Sequence, residues 1–180
     1  MENTIVVYSS RYGATRRYAE ELAKRLQVKA VDYRKVNLSY QYDSIIYLGA
    51  MYAGGVKGLK DTMKKLSDVS QTNIMVITVG ITDPTNLENQ ESIRKAIKEQ
   101  MSPKVFAKMQ IFHLRGAIDY KRFKLLDKLL MRTVYKKVSK MPEEERTPQI
   151  RALMETYGQT VDFVDFSRLD KIIAQINKNV

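Results

Sequence analysis

Hydrophobic positions along the chain fall into short unbroken runs, separated by longer stretches in which they recur every three or four residues. Thr4 to Tyr8 is such a run. Ser9 to Gly13 follows it, and then Tyr18, Leu22, Ala23 and Leu26 return at helical spacing, which predicts strand, loop and helix. Val28 to Tyr33 alternates as a second strand. Ser44 to Leu48 reads as a third, followed by a glycine-rich loop and a helix through Leu59, Met63 and Leu66. Ile74 to Val79 is a fourth strand, a polar loop with Pro84 leads into a helix from about Glu88 to Gln100, and Gln110 to Leu114 is a fifth. Strands one, three and four are apolar on both faces, as parallel strands are when helices cover both sides of a sheet. The expected class is α/β, a doubly wound five-stranded parallel sheet.

Beyond the fifth strand the pattern changes. Tyr120 to Lys140 reads as one long basic helix ended by Met141-Pro142, and Glu143 to Arg146 opens another. Thr160 to Val164 is a short extended piece, and Ser167 is the expected cap of a last amphipathic helix built on Leu169, Ile172, Ile173 and Ile176. A five-stranded core needs only one closing helix, so 1–180 is expected to be one domain with 117–163 as a basic helical elaboration.

Composition narrows the chemistry. The 180 residues contain no Cys and a single His, His113, which excludes disulfides, thiolate metal sites and cysteine nucleophiles and leaves no histidine cluster for a metal. A cytoplasmic location is expected, since the N-terminus opens on a strand pattern and no apolar run is long enough to cross a bilayer. Lys and Arg number 31 against 20 Asp and Glu, a net charge of +11. Residues 103–142 hold eleven of those cations against Asp119 and Asp127, so +9 sits in that segment and +2 in the rest. Phe123, Leu126, Leu130, Val134 and Val138 form an apolar stripe on the basic helix, with Leu129 and Met141 beside it. Three roles fit this pattern: a helix docked on its own domain with a solvated charged face, a peripheral helix on the inner face of an anionic membrane through 120–140, or a nucleic-acid contact. The last is disfavoured, because no recognition motif accompanies the charge.

Ligands of open parallel sheets bind at the carboxyl ends of the strands, near the reversal of strand order, which directs attention to three loops. Ser9-Ser10-Arg11-Tyr12-Gly13-Ala14-Thr15 has hydroxyls at both ends, a turning glycine and a helix N-terminus behind it. These parts together can cradle a phosphate, although Ser10 and Gly13 could equally serve as cap and turn. Neither G-x-x-x-x-G-K-[ST] nor G-x-G-x-x-G is present, so nucleoside triphosphate and dinucleotide sites of the usual kinds are disfavoured. The second loop, Gly49 to Gly55, combines Tyr52 with glycines, and the third, Val79 to Pro84, is uncharged and hydrogen-bonding up to Asp83. A phosphate loop, an aromatic loop and a polar loop on adjacent strands suit a mononucleotide with an aromatic head group. His113 and Arg115 fall near the mouth of that site, His113 more simply as a structural residue than as a proton relay.

The run Tyr8 to Thr15 resembles the phosphate loop of the flavodoxin superfamily, and Gly49–Gly54 and Gly80–Pro84 fall where that family places its two flavin-flanking loops. Phe112 to Tyr120 and the basic helix after it resemble the branch that includes the menaquinone-linked protoporphyrinogen oxidase. The resemblance implies a flavodoxin-like sheet of order 2-1-3-4-5 with a helical insertion after strand five, and FMN as cofactor. It places Ser10, Arg11, Tyr12, Gly13, Ala14 and Thr15 on the FMN phosphate. Met51, Tyr52, Ala53 and Gly54 would lie along the isoalloxazine, with Gly80, Ile81, Thr82 and Asp83 on its other side. Tyr12 and Ala14 stand where the family usually has Thr and Asn, which shifts phosphate binding toward the backbone and the remaining hydroxyls. The activity implied is FMN-dependent redox chemistry. It could be that of a protoporphyrinogen or quinone-type oxidoreductase, with a quinone or tetrapyrrole as substrate, or that of a small electron carrier with a redox partner. A non-redox interaction module on the same scaffold is the reading from another class.

Overall fold

A computed structural model of the protein describes residues 3–38, 42–52, 55–66 and 69–178. In chain order the sheet is built from β1 (Thr4–Ser9), β2 (Lys29–Asp32), β3 (Ser44–Tyr52), the two-residue β4 (Gly55–Val56), β5 (Asn73–Gly80) and β6 (Met109–Arg115). Five of these strands run parallel in the order β2-β1-β3-β5-β6. This is the expected doubly wound order, with β4 added as an antiparallel return on the end of β3.

Alternation along the strands divides the core in two. Ile5 and Val7, Ile45 and Tyr47, and Ile74 and Val76 face one side, where α2 (Leu59–Met63) adds Leu59 and Met63 and α3 (Leu87–Gln100) adds Ile93 and Ile97. Val6, Ile46, Leu48, Met75, Ile77 and Val79 face the other, covered by Tyr18, Leu22 and Leu26 of α1 (Ala14–Leu26) and by Leu169, Ile172 and Ile176 of α7 (Leu169–Lys178). Each strand presents apolar side chains to both layers because it has helices above and below. A short helix absent from the expected pattern, α4 (Pro103–Ala107), starts where Ser102 accepts the Val105 N–H and Pro103 occupies the first turn.

The elaboration departs from the expected form in three places. The basic helix is not continuous from Tyr120. Tyr120–Arg122 is a single 3₁₀ turn capped by Asp119, Phe123 is extended, and only then does α5 (Leu125–Val138) begin. Glu143–Glu145 is likewise a 3₁₀ turn, and the following helix, α6, runs Pro148–Thr156. Asp165, and not Ser167, caps the chain before α7, accepting from both the N–H and the hydroxyl of Ser167. Between these pieces β7 (Ala117–Asp119) and β8 (Thr160–Asp162) pair antiparallel as a separate two-stranded ribbon.

Candidate functional site

The chain leaves β1 at Ser9 and turns through Ser10 to Gly13 into α1. Ser10 Oγ accepts the Gly13 N–H at 3.2 Å, which fixes the turn, and Gly13 sits at φ 105°, a conformation that L side chains rarely adopt. The first backbone bond of α1 runs from Arg17 N to Gly13 O at 3.0 Å, leaving the N–H groups of the opening turn at its free end. No side chain caps that end. The first turn holds no acid, and Arg16 and Arg17 are there instead. A helix start ordinarily attracts a carboxylate, so one that is uncapped and basic has the donor set that a phosphate completes. Thr15 is buried one position into the helix. The backbone of Arg11 to Thr15 and the hydroxyls of Ser10 and Thr15 therefore fit the FMN phosphate.

The side chains of Arg11 and Tyr12 do something else. Both hydrogen-bond the carboxylate of Asp127, on the inward face of α5. The Tyr12 hydroxyl and the Arg11 guanidinium hold that carboxyl below the usual carboxylate range, against the opposing effect of its burial. The Tyr12 ring stacks on Phe123 at 4.6 Å, and Phe123 stacks on Tyr120 at 4.6 Å. Tyr120 meets Tyr157 edge-on at 5.4 Å, and Tyr157 stacks on Tyr135 at 4.0 Å. A chain of five rings thus runs from the phosphate loop into the elaboration, and an ion pair parallel to it bolts α5 to the same loop. Tyr12, in place of the usual Thr, is spent on this junction.

The second segment is not a loop over its whole length. β3 continues through Gly49, Ala50, Met51 and Tyr52 and folds back as β4, with Met51 opposite Val56 and Tyr52 opposite Gly55. Glycine is required at position 49, where a Cβ would lie 2.2 Å from Val56 Cγ1 and 2.9 Å from the Tyr47 ring. Ala53 and Gly54, expected along the flavin, lie outside the described residues. Met51 lies against the third loop, since a Cβ built on Gly80 would touch Met51 Cβ and Cγ at 3.8 Å and Thr82 Oγ1 at 3.9 Å. Two of the three expected walls therefore meet.

The third loop is tightly held. Gly80 O accepts the Gly116 N–H at 2.6 Å, and Ile81 O accepts Arg115 Nε at 3.0 Å while that guanidinium lies 3.7 Å over the Phe163 ring. Asp83 accepts the Thr85 N–H and hydroxyl at 2.8 and 2.7 Å, which lower its carboxyl below the ordinary range. Tyr18, fully buried, donates to Arg115 O at 2.9 Å and accepts the Asp165 N–H at 2.8 Å. His113 Nδ1 lies 2.7 Å from Thr78 Oγ1, and burial pushes its pKa down to about 4. It is a neutral, hydrogen-bonded residue at neutral pH.

Beside the phosphate loop, on the β2 side, a cavity of about 420 Å³ is lined by Ser10, Arg11, Arg16, Arg34, Arg122 and Lys124 among others. Asp32, the one carboxylate in its wall among the described residues, is held by Arg34 through two 2.8 Å bonds that bring its pKa to about 2. The balance favours anions strongly. The sequence pattern did not single out Arg34, nor the separate placement of Arg122, Lys124 and Asp127. The available signal was Asp127 itself, the one acid between Tyr120 and Lys140.

Among known families, the flavodoxin domain matches residues 5–145, a span that holds all three segments and α5. No curated protein matches the chain. Among solved structures, oxidised Flavodoxin 1 from Bacillus cereus is 14% identical with a TM-score of 0.40, the match covering 77% of this chain and 99% of that one. A flavodoxin from the domain Archaea is 15% identical with a TM-score of 0.39, over 66% and 86% of the two chains. A Fusobacterium nucleatum flavodoxin mutant bound to flavin mononucleotide is 13% identical with a TM-score of 0.40, over 65% and 78%. With that domain matched over residues 5–145 of the 180-residue chain, from the first buried residue of β1 past the end of the basic segment, the chain belongs to the flavodoxin-domain family.

Proposed function

We propose that the protein binds FMN at the Ser10–Thr15 loop and acts as an electron-transfer flavoprotein of the flavodoxin type. The observation that carries this reading is the start of α1: an uncapped, acid-free helix end behind a left-handed Gly13, with a buried threonine and flanking arginines. Bound there, FMN would supply the one- and two-electron chemistry. The chain's own contribution is positional. Backbone N–H groups of the loop hold the phosphate, while Met51 and the Gly80–Asp83 backbone form adjoining walls whose hydrogen bonds to Arg115 and Gly116 keep them in place. Titrating apoprotein with FMN and following flavin fluorescence tests the proposal. Stoichiometric quenching supports it, and no saturable binding would leave a flavodoxin scaffold used for interaction alone.

A narrower reading, a protoporphyrinogen or quinone-type oxidoreductase, is favoured by one feature, the basic elaboration fixed to the phosphate loop through Asp127. It predicts turnover of a porphyrinogen or a quinone by the FMN-loaded protein. Reduction of protein acceptors alone would assign it to the carriers.

A further inference from the structure

Among the described residues, one face of α5 has no partner within the domain. The helix presents Asp127 and Val138 inward, both buried, with Met131 and Val134 half-buried on the same side. On the outward face of its first two turns, Leu125, Leu126, Leu129 and Leu130 are 82%, 79%, 61% and 50% exposed. Among the described residues the other exposed large hydrophobic is the isolated Leu87. Scattered exposed leucines are ordinary, but four at i, i+1, i+4 and i+5 make a contiguous patch.

The charges around that patch have one sign. Lys121, Arg122 and Lys124 precede it, Lys128 and Arg132 flank it, and Lys136, Lys137 and Lys140 follow it. Asp127, the one acid from 120 to 140, is turned away onto Arg11 and Tyr12. The exposed surface is therefore apolar at its centre and carries only cations within 120–140, the nearest acids in sequence, Asp119 and Glu143–Glu145, lying beyond its two ends. A nucleic acid would satisfy the cations and leave four leucines in water. Insertion across a bilayer is not available, since among the described residues no helix is long and apolar enough to cross a membrane.

We propose that α5 docks the protein on an anionic phospholipid surface, with Leu125, Leu126, Leu129 and Leu130 at the boundary of headgroups and acyl chains and the lysines and arginines among the headgroups. Because Asp127 ties the same two turns to Arg11 and Tyr12, docking sets the phosphate-loop end of the sheet toward the lipid. The proposal does not depend on flavin binding.

The test is flotation of the purified full chain with phosphatidylcholine vesicles, with and without phosphatidylglycerol, at low and high salt. The expected result is binding to the phosphatidylglycerol vesicles that weakens with salt. Changing the four leucines to Gln, or Lys121, Lys124, Lys128 and Arg132 to Glu, should each lower the partition coefficient by at least about tenfold, since the first removes the apolar contact with the acyl boundary and the second reverses the attraction to anionic headgroups. These side chains are exposed, so circular dichroism and melting should match the parent, and flavin content is recorded separately. Absence of binding at low salt would overturn the proposal, as would equal binding to pure phosphatidylcholine or full binding by the leucine variant. A concentration-dependent dimer lost in the leucine variant would also overturn it, by assigning the patch to a second copy of the chain.

Discussion

Replacing Phe123 by Ala removes the central ring that joins the phosphate loop to the elaboration. Phe123 stacks on Tyr12 and on Tyr120, each at 4.6 Å, and is half-buried between them. Full burial makes a Phe→Ala change cost about 3–5 kcal/mol. Half-burial roughly halves that, and two stacked pairs contribute about 0.5–1.5 kcal/mol each beyond area, so a loss of about 2.5–5.5 kcal/mol is expected. For a chain of this size each kcal/mol moves the melting temperature by roughly 2–4 °C, which predicts a fall of about 5–20 °C. The loss should be local as well. Residues 120–140 carry eight Lys and Arg, and their trypsin cleavage should accelerate before that of the sheet, with hydrogen exchange rising in α5 first. Phe123→Leu, which keeps much of the volume and loses the stacking, should fall between. A melting temperature within about 1 °C of the parent, with unchanged cleavage in α5, would refute the view that the ring chain anchors the elaboration.

Ser10→Ala with Thr15→Val should weaken FMN binding by at least about tenfold while leaving circular dichroism unchanged, because hydrogen bonds to a charged phosphate contribute about 1.5–3 kcal/mol each; fluorescence titration reads it. Gly116→Val would place a Cβ 2.8 Å from Val79 Cγ1 and should destabilise by about 1–3 kcal/mol, checked by urea unfolding. His113 binds a proton more weakly in the folded chain, at about pH 4 against 6.5. Its contribution to stability is therefore unchanged above pH 6.5 and falls as pH drops from there toward 4, a slope that His113→Gln should remove from melts recorded across that window. Arg122→Glu with Lys124→Glu should make reduction of bound FMN to its anionic form more difficult, so spectroelectrochemistry should find a more negative potential.

The sheet was legible because each central strand is buried on both faces and appears as an unbroken apolar run; Ile5 to Val7 and Ile74 to Val79 leave little choice. The end of β3 was not. Gly49 and Ala50 look like loop residues, yet both continue the strand, and Gly49 is small because Val56 folds back onto it. Periodicity found the apolar stripe of α5 but not which side meets the protein. Val134 and Val138 turn inward while Leu126 and Leu130 face water. The deciding contact is Asp127 with Arg11 and Tyr12, more than a hundred residues away in sequence, and no local window contains it. Phe123 breaks the expected helix for the same reason: its partner Tyr12 is distant, and stacking on it holds the backbone extended.

The ribbon of β7 and β8 brings the chain out of the core and returns it at one point. Ala117 lies opposite Asp162, Asp119 lies opposite Thr160, and Phe163 N bonds Gly116 O at 3.0 Å. Everything from 120 to 159 therefore leaves and rejoins the core through a closed neck, and its remaining ties to the domain include side-chain contacts, Asp127 and Phe123 with the phosphate loop and Gln149 with Asn89. Joining Asp119 to Thr160 through Asn-Gly would convert the ribbon to a tight hairpin. A minimal domain would follow from that one closure, at the cost of the contacts that Arg11 and Tyr12 make with the removed segment.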